Sequence, residues 1–169
     1  MNWTSQKKWP KIKQCGDVKN IGTDLDKEIC IMNNANIYLL IGGSPCQDLS
    51  IAKKDREGLN GSRSGLFYEY LRILKEVKPK FFILENVNSM PKEAKQTITE
   101  ELFGIEPIMI NAALVSAQNR KRLFWVGKRV GNTYKQIKIE LPEDKNIFLK
   151  DIIHELRGEE VAKKYFVSD

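Results

Sequence analysis

Two short apolar runs constrain this chain more than any other feature. Asn36–Ile41 lies between Asn33-Asn34 and Gly42-Gly43, and Lys80–Leu84 follows Pro79 and gives way at once to Glu85-Asn86. Continuous apolar runs of this length read as strands covered on both faces, the habit of a parallel sheet. Parallel neighbours need a crossover, usually a helix. One is present: after a polar, glycine-rich stretch from Gly42 to Ser64, residues Leu66, Tyr70, Ile73, Leu74 and Val77 recur at helical spacing. Ser64 is placed to cap this helix, which spans Gly65–Val77, and Lys78-Pro79 stops it.

The same grammar continues downstream. Pro91–Phe103 reads as a helix with Pro91 in its first turn. Ile108–Leu114 and Leu123–Val126 read as strands joined by the polar loop Val115–Arg122, with no crossover helix, which predicts a hairpin. Gln14–Val18 reads as a short strand ending at Gly16-Asp17, Thr133–Ile139 as an edge strand and Phe148–Leu156 as a helix. The order predicts an α/β fold with a mainly parallel sheet. Open sheets of this kind hold ligands beyond the carboxyl ends of their strands. Gly42–Cys46 and Glu85-Asn86 both lie at such ends.

Composition narrows the classes. A chain of 169 residues with 41% hydrophobic and 30% charged residues is one ordinary domain's worth. No apolar stretch approaches the roughly 18 residues of a membrane span, and the N-terminus has no secretory core. The three cysteines, Cys15, Cys30 and Cys46, show no CxxC spacing, so neither a disulfide framework nor a zinc ribbon is indicated, and the chain reads as cytoplasmic with reduced thiols. One histidine, His154, excludes a multi-histidine metal site; no metal is expected. The net charge of +6 permits a polyanionic partner without establishing one.

Three clusters carry the chemistry: Gly42-Gly43-Ser44-Pro45-Cys46-Gln47, Glu85-Asn86-Val87 and Gln118-Asn119-Arg120-Lys121-Arg122. Singly, each is weak; a cysteine after a strand is more often a small buried hydrophobe, and an Arg-Lys-Arg run is usually a wet face. Together they place a thiol and a carboxylate at adjacent strand ends, about 4.8 Å between strands. A thiolate nucleophile without a histidine needs nearby positive charge, which Arg120 and Arg122 could supply. A carboxyl beside it could protonate or hydrogen-bond the substrate under attack.

These residues, in this order, resemble the DNA (cytosine-5) methyltransferases. GGSPCQDLS is similar to their Pro-Cys nucleophile loop, LENV to their glutamate motif and QNRKR to their Gln-x-Arg-x-Arg motif. GSRSGLFYEYLRIL is similar to the helix that follows the nucleophile loop, and Gly16-Asp17-Val18 to the step at the cofactor adenine. The likeness spans about Lys11–Lys128, and its wording is similar to the phage, bacterial and de novo branches.

The resemblance implies a partial Rossmann-like class I methyltransferase sheet, mostly parallel, with a C-terminal hairpin. It implies methyl transfer from S-adenosylmethionine to C5 of a cytosine flipped out of double-stranded DNA. Cys46 would attack C6, Glu85 would contact N3 and the exocyclic amine, Arg122 would hold O2, and Arg120 would position the loop or touch the DNA backbone. Asp17, Val18, Gly43, Pro45 and Leu66 would line the cofactor pocket, while Gln47, Ser50 and Gln118 would meet the DNA.

The family's opening strand and Phe-x-Gly-x-Gly loop are missing from this sequence, as are its recognition domain and final motif. Residues 1–130 therefore read as the central part of the catalytic domain, and 131–169 as the start of the target-recognition region. The expectation is an enzyme, within a restriction–modification setting, that needs a complementary polypeptide, with exposed hydrophobics at the sheet edge. Two alternatives stand beside it: a non-catalytic relative that binds DNA or protein, and a cysteine hydrolase built on Cys46 and His154. Trp125 is expected in the core, whereas Cys15, Cys30 and the scattered lysines are expected in packing or surface roles.

Overall fold

The computed structural model describes residues 15–22, 29–30, 37–44 and 66–152. A short parallel pair, β1 (Ile21–Gly22) and β2 (Ile29–Cys30), stands apart from the main sheet. The main elements are β3 (Leu39–Gly43), α1 (Leu66–Val77), β4 (Phe81–Val87), α2 (Lys92–Glu101), β5 (Ile108–Asn111), β6 (Lys121–Val130) and β7 (Thr133–Gln136). The sheet runs β3-β4-β6-β5, and β7 joins the far end of β6.

β3 and β4 pair in parallel, while β6 runs antiparallel to β4, β5 and β7. Strands β3, β4, β5 and β7 therefore share one direction and β6 opposes them. The expected mostly parallel sheet is correct for strand direction, yet most of its hydrogen-bonded pairs are antiparallel. The cause is the direct β5–β6 connection. Without a crossover helix the chain must turn back on itself, and β6 enters between β4 and β5 as the predicted hairpin.

Alternation divides the sheet into two faces. Phe82 and Leu84 of β4 lie opposite Gly127 and Trp125 of β6, on the face that both helices cover. Phe67, Tyr70, Leu71 and Leu74 of α1 and Ala94 and Ile98 of α2 complete this core. Trp125, fully buried as expected, donates its indole N–H to Thr99 Oγ1 at 3.1 Å, so its one polar atom is satisfied inside. Gly42 lets α1 settle on β3, since a Cβ there would come 2.5 Å from Tyr70 Cδ2. The Tyr70 hydroxyl then donates to Ile83 O at 3.1 Å. The other face is thinly covered. Ile41 and Tyr38, on and beside β3, are 64% and 62% exposed, as expected of hydrophobics at this edge.

Local chemistry corrects several boundaries. Gln14–Val18 does not give a strand in its described part. Gly16 takes φ +77° and Asp17 accepts from Lys19 N, which starts a 3-10 turn at Val18–Asn20 ahead of β1. The strand expected over Ile108–Leu114 stops at Asn111, whose side chain caps a 3-10 turn over Ala112–Leu114. Helix α2 ends at Glu101, because Phe103 and Gly104 both turn to positive φ. β6 outruns its apolar run to span Lys121–Val130, carried by pairing with β7, and β7 itself ends at Gln136. Of the helix expected over Phe148–Leu156, the described part holds a 3-10 turn at Leu149–Asp151.

A Cβ on Gly127 would press into the Phe82 ring and stand 2.9 Å from Ile105 Cδ1. Gly127→Ala is expected to cost about 1–3 kcal/mol through overpacking, read as a lowered unfolding midpoint in urea. Burial pushes the Tyr70 hydroxyl far above the ordinary tyrosine range, and burial also raises Tyr134 against the opposing pull of Arg129. The stability these groups contribute is therefore complete below about pH 10, the unfolded tyrosine value, and is lost as pH rises beyond it. Thermal unfolding followed by circular dichroism should fall steeply above that pH, and Tyr70→Phe should flatten the fall.

Candidate active site

The parallel register sets the centre of the site. Gly43 at the end of β3 stands level with Glu85 on β4. Glu85 in turn lies opposite Phe124 of β6, so Arg122, two residues from Phe124, falls on the same face. Its Nε meets Glu85 Oε1 at 2.8 Å, and its Nη1 donates to Lys121 O at 2.9 Å. The side chains are 36% and 21% exposed for Glu85 and Arg122, so this is a half-open ion pair. Such a pair contributes about 1 kcal/mol or less to stability and serves mainly to aim both groups. Across β3, a Cβ on Gly43 would lie 3.0 Å from Glu85 Oε2, so glycine keeps that oxygen's edge clear.

On the helix-covered face, Asn86 is only 1% exposed yet fully partnered. Its Nδ2 donates to Ser44 Oγ at 3.0 Å, and its Oδ1 accepts from Val87 N at 2.8 Å. This amide ties the end of β4 to the last described residue before Pro45-Cys46. Sequence reading took Asn86 only as a letter of the LENV motif. An asparagine next to a buried strand was the available signal.

Arg120 and Gln118 lie exposed on the β5–β6 connection. Gln118 N donates to Ser116 Oγ at 3.3 Å, and Arg120 N donates to Asn111 Oδ1 at 2.9 Å. Arg120 precedes β6 by one residue and Arg122 by two.

Asp17 and Val18 sit beside α1. Asp17 is exposed and accepts from Lys19 N at 3.0 Å. Arg72 of α1 anchors this segment, donating from Nη2 to Val18 O and Ile21 O. Glu69 and Glu76 hold the guanidinium at 2.8 and 2.9 Å. Burial alone would lower the Arg72 pKa, but hydrogen bonds and charge from these glutamates outweigh it and raise it. Sequence reading passed over Arg72; the Glu-x-x-Arg-x-x-x-Glu spacing on a helix was its signal.

The structure thus brings Gly43, Glu85 and Arg122 together, with Arg120 and Gln118 on the adjoining connection. Leu66 opens α1, half-buried. Pro45, Cys46, Gln47, Ser50 and His154 lie outside the described residues. Among the described residues there is no cluster of metal-ligating side chains.

The family profile described as C-5 cytosine-specific DNA methylase matches residues 3–169. Type II methyltransferase M.AquIA of Picosynechococcus sp. is 36% identical over 136 residues, covering 70% of this chain and 54% of that protein. Type II methyltransferase M.FnuDI of Fusobacterium nucleatum is 38% identical over 136 residues, 74% of this chain and 39% of the relative. M.NgoPII of Neisseria gonorrhoeae is 38% identical over 133 residues, 70% of this chain and 38% of the relative. The chain spans about half or less of these relatives' lengths.

Removing the Asn86 amide leaves Val87 N without its partner in a buried place. Asn86→Ala is expected to destabilise the protein by about 1–3 kcal/mol, measured by urea unfolding. Ser44→Ala orphans the buried Asn86 Nδ2 and is expected to cost a similar amount.

Proposed function

The chain belongs to the C-5 cytosine-specific DNA methylase family, and on that premise we propose that it carries the nucleophile and base-holding part of a DNA cytosine-5 methyltransferase. The observation that supports this most is the Glu85–Arg122 pair beside Gly43, an anion and a cation aimed together at the end of two parallel strands. That pair matches the edge of cytosine, with N3 and the exocyclic amine toward Glu85 and O2 toward Arg122.

The chemistry follows from these groups. Cytosine C5 is a poor nucleophile. The Cys46 thiolate bonds to C6, and the displaced π electrons pass into the ring and make C5 electron-rich. Glu85 steadies N3 and the amine as aromaticity is lost. Arg122 offsets the charge that gathers at O2. S-adenosylmethionine, when bound, supplies the methyl group that C5 takes. A water molecule or hydroxide then takes the C5 proton, the freed C–H electron pair forms the C5–C6 double bond, and the C6–S bond breaks with its pair on sulfur, restoring the Cys46 thiolate. C6 is inaccessible within a duplex, so the cytosine must be flipped out at a cost of a few kcal/mol.

The described residues fit a cofactor of this kind. Exposed Asp17 offers a carboxylate to an exocyclic amine, and Gly43 leaves clear a space that a Cβ would fill. Asp17, Val18, Gly43, Pro45 and Leu66 are assigned to hold it. Gln47, Ser50, Gln118 and Arg120 are assigned to double-stranded DNA. Residues 131–169 are assigned to the approach to target recognition. A glycine-rich cofactor loop and a recognition domain complete the enzyme, from a longer chain or a complementary polypeptide. Among the described residues no helix is long and apolar enough to cross a membrane. A DNA substrate assigns the work to the cytoplasm of a bacterium or phage host, with a restriction–modification role.

A duplex containing 5-fluorocytosine tests the proposal, because the fluorine blocks the final elimination and leaves the adduct in place. The protein, supplemented with a polypeptide carrying a Phe-x-Gly-x-Gly segment and a recognition domain, is expected to form a denaturant-stable adduct in the presence of S-adenosylmethionine. Cys46→Ser should abolish the adduct, and Glu85→Gln should slow it by about 10²–10⁴-fold. The 169-residue chain alone is expected to give no thermal shift with S-adenosylmethionine and no methyl transfer. An adduct that survives Cys46→Ser would refute the assignment of the nucleophile, and none from the supplemented protein would favour a non-catalytic binding relative.

A further inference from the structure

We propose that Asn111 is a positioning residue that presents Arg120 to a DNA phosphate at the rim of the Glu85–Arg122 site. The inference rests on the DNA-modifying role proposed above.

Asn111 is the last residue of β5 and is paired with Lys121 of β6. Its one side-chain amide makes three bonds. Oδ1 accepts from Ala113 N at 3.2 Å and from Arg120 N at 2.9 Å, and Nδ2 donates to Asn119 Oδ1 at 3.0 Å. The main chain adds a bond from Ala112 N to Arg120 O at 3.0 Å. Asn111 thus grips the connection where it leaves β5 and again where it returns to β6. The tip between these points depends on Ser116, which donates to Ala112 O and accepts from Gln118 N.

This clamp exceeds what a turn requires. A cap on Ala113 N alone would start the 3-10 turn. The additional bonds fix Asn119 and the backbone of Arg120, which carries the exposed guanidinium. Among the described residues Arg122 is paired with Glu85 by a salt bridge, whereas Arg120 has none. An arginine that is held by its main chain, open to solvent and short of a carboxylate suits a phosphate oxygen. Holding its backbone before binding lowers the ordering cost that the contact must overcome.

Binding of a fluorescein-labelled, cytosine-containing duplex by the protein supplemented as in the adduct test, followed by anisotropy across a salt series, tests this. Arg120→Ala is expected to reduce the slope of log affinity against log salt by about one, the signature of one lost phosphate contact. Asn111→Ala should give the same reduction, and the double variant no more than either single one. Asn111→Ser keeps an oxygen short enough to cap Ala113 N but too short to reach both Arg120 N and Asn119. It should therefore fold with a near-normal unfolding midpoint and still lose slope, which keeps the test sound if Asn111→Ala folds poorly. Gly127→Ala, destabilising but remote from the connection, should retain the full slope.

A full slope in folded Asn111→Ser, or additive losses in the double variant, would overturn the inference. A full slope in Arg120→Ala would overturn it as well, by removing the phosphate contact it serves. In either case the 5-fluorocytosine adduct would still report separately on methyl-transfer chemistry. A duplex that does not bind the unsubstituted, supplemented protein at all would remove the DNA reading and this inference together.

Discussion

The register of β6 against β4 is the constraint on which both core and site depend. Glu85 faces Phe124, so Leu84 faces Trp125, and Arg122 lies one step along on the Glu85 face. A slip of one residue would exchange the faces of the whole strand. Trp125 would leave the helices, and Arg122 would leave Glu85. The residues that make the strand central are therefore the ones that place the cation beside the carboxylate.

That register is fixed from the covered side of the sheet. Trp125 is held by its bond to Thr99 of α2, and Gly127 admits the Phe82 ring where any side chain would collide. Each fully buried large side chain here contributes roughly 1.5–3 kcal/mol of transfer free energy. By contrast, the half-open Glu85–Arg122 pair adds about 1 kcal/mol or less. The ion pair is positioned by the core rather than holding the strands together. Variants that remove either charge should thus alter the site without dissolving its scaffold.

How much of this was legible in the sequence depended on whether the signal was local. The apolar runs located β3 and β4, helical spacing located α1, and the reading of a helix with Pro91 in its first turn located α2 to within two residues. Motif wording singled out Glu85 and Arg122. The insertion of β6 between β4 and β5 was only half legible. The missing crossover helix predicted a hairpin, but no local feature named the strand on its far side. Polar residues whose value lies in distant partners were harder still. Arg72 is defined by the carbonyls of Val18 and Ile21, Asn86 by Ser44, and Asn111 by a loop that leaves it and returns. Near Gly16-Asp17 the expected strand gives way to a 3-10 turn, because Gly16 takes a positive φ and Asp17 bonds to Lys19 N.

An aimed ion pair is not yet a catalytic environment. Preorganised charges stabilise a transition state chiefly where water is excluded, because the same groups in solvent are heavily screened. Glu85 retains 36% of its side-chain exposure, and Ile41 two residues before Gly43 is 64% exposed. The described residues therefore supply position without supplying the dry walls. On the function proposed above, the flipped base with its flanking DNA would close the site. The division is physically economical. On that reading, a pocket left open until its base arrives keeps Glu85 hydrated beforehand, and its electrostatics strengthen only as the base displaces the water.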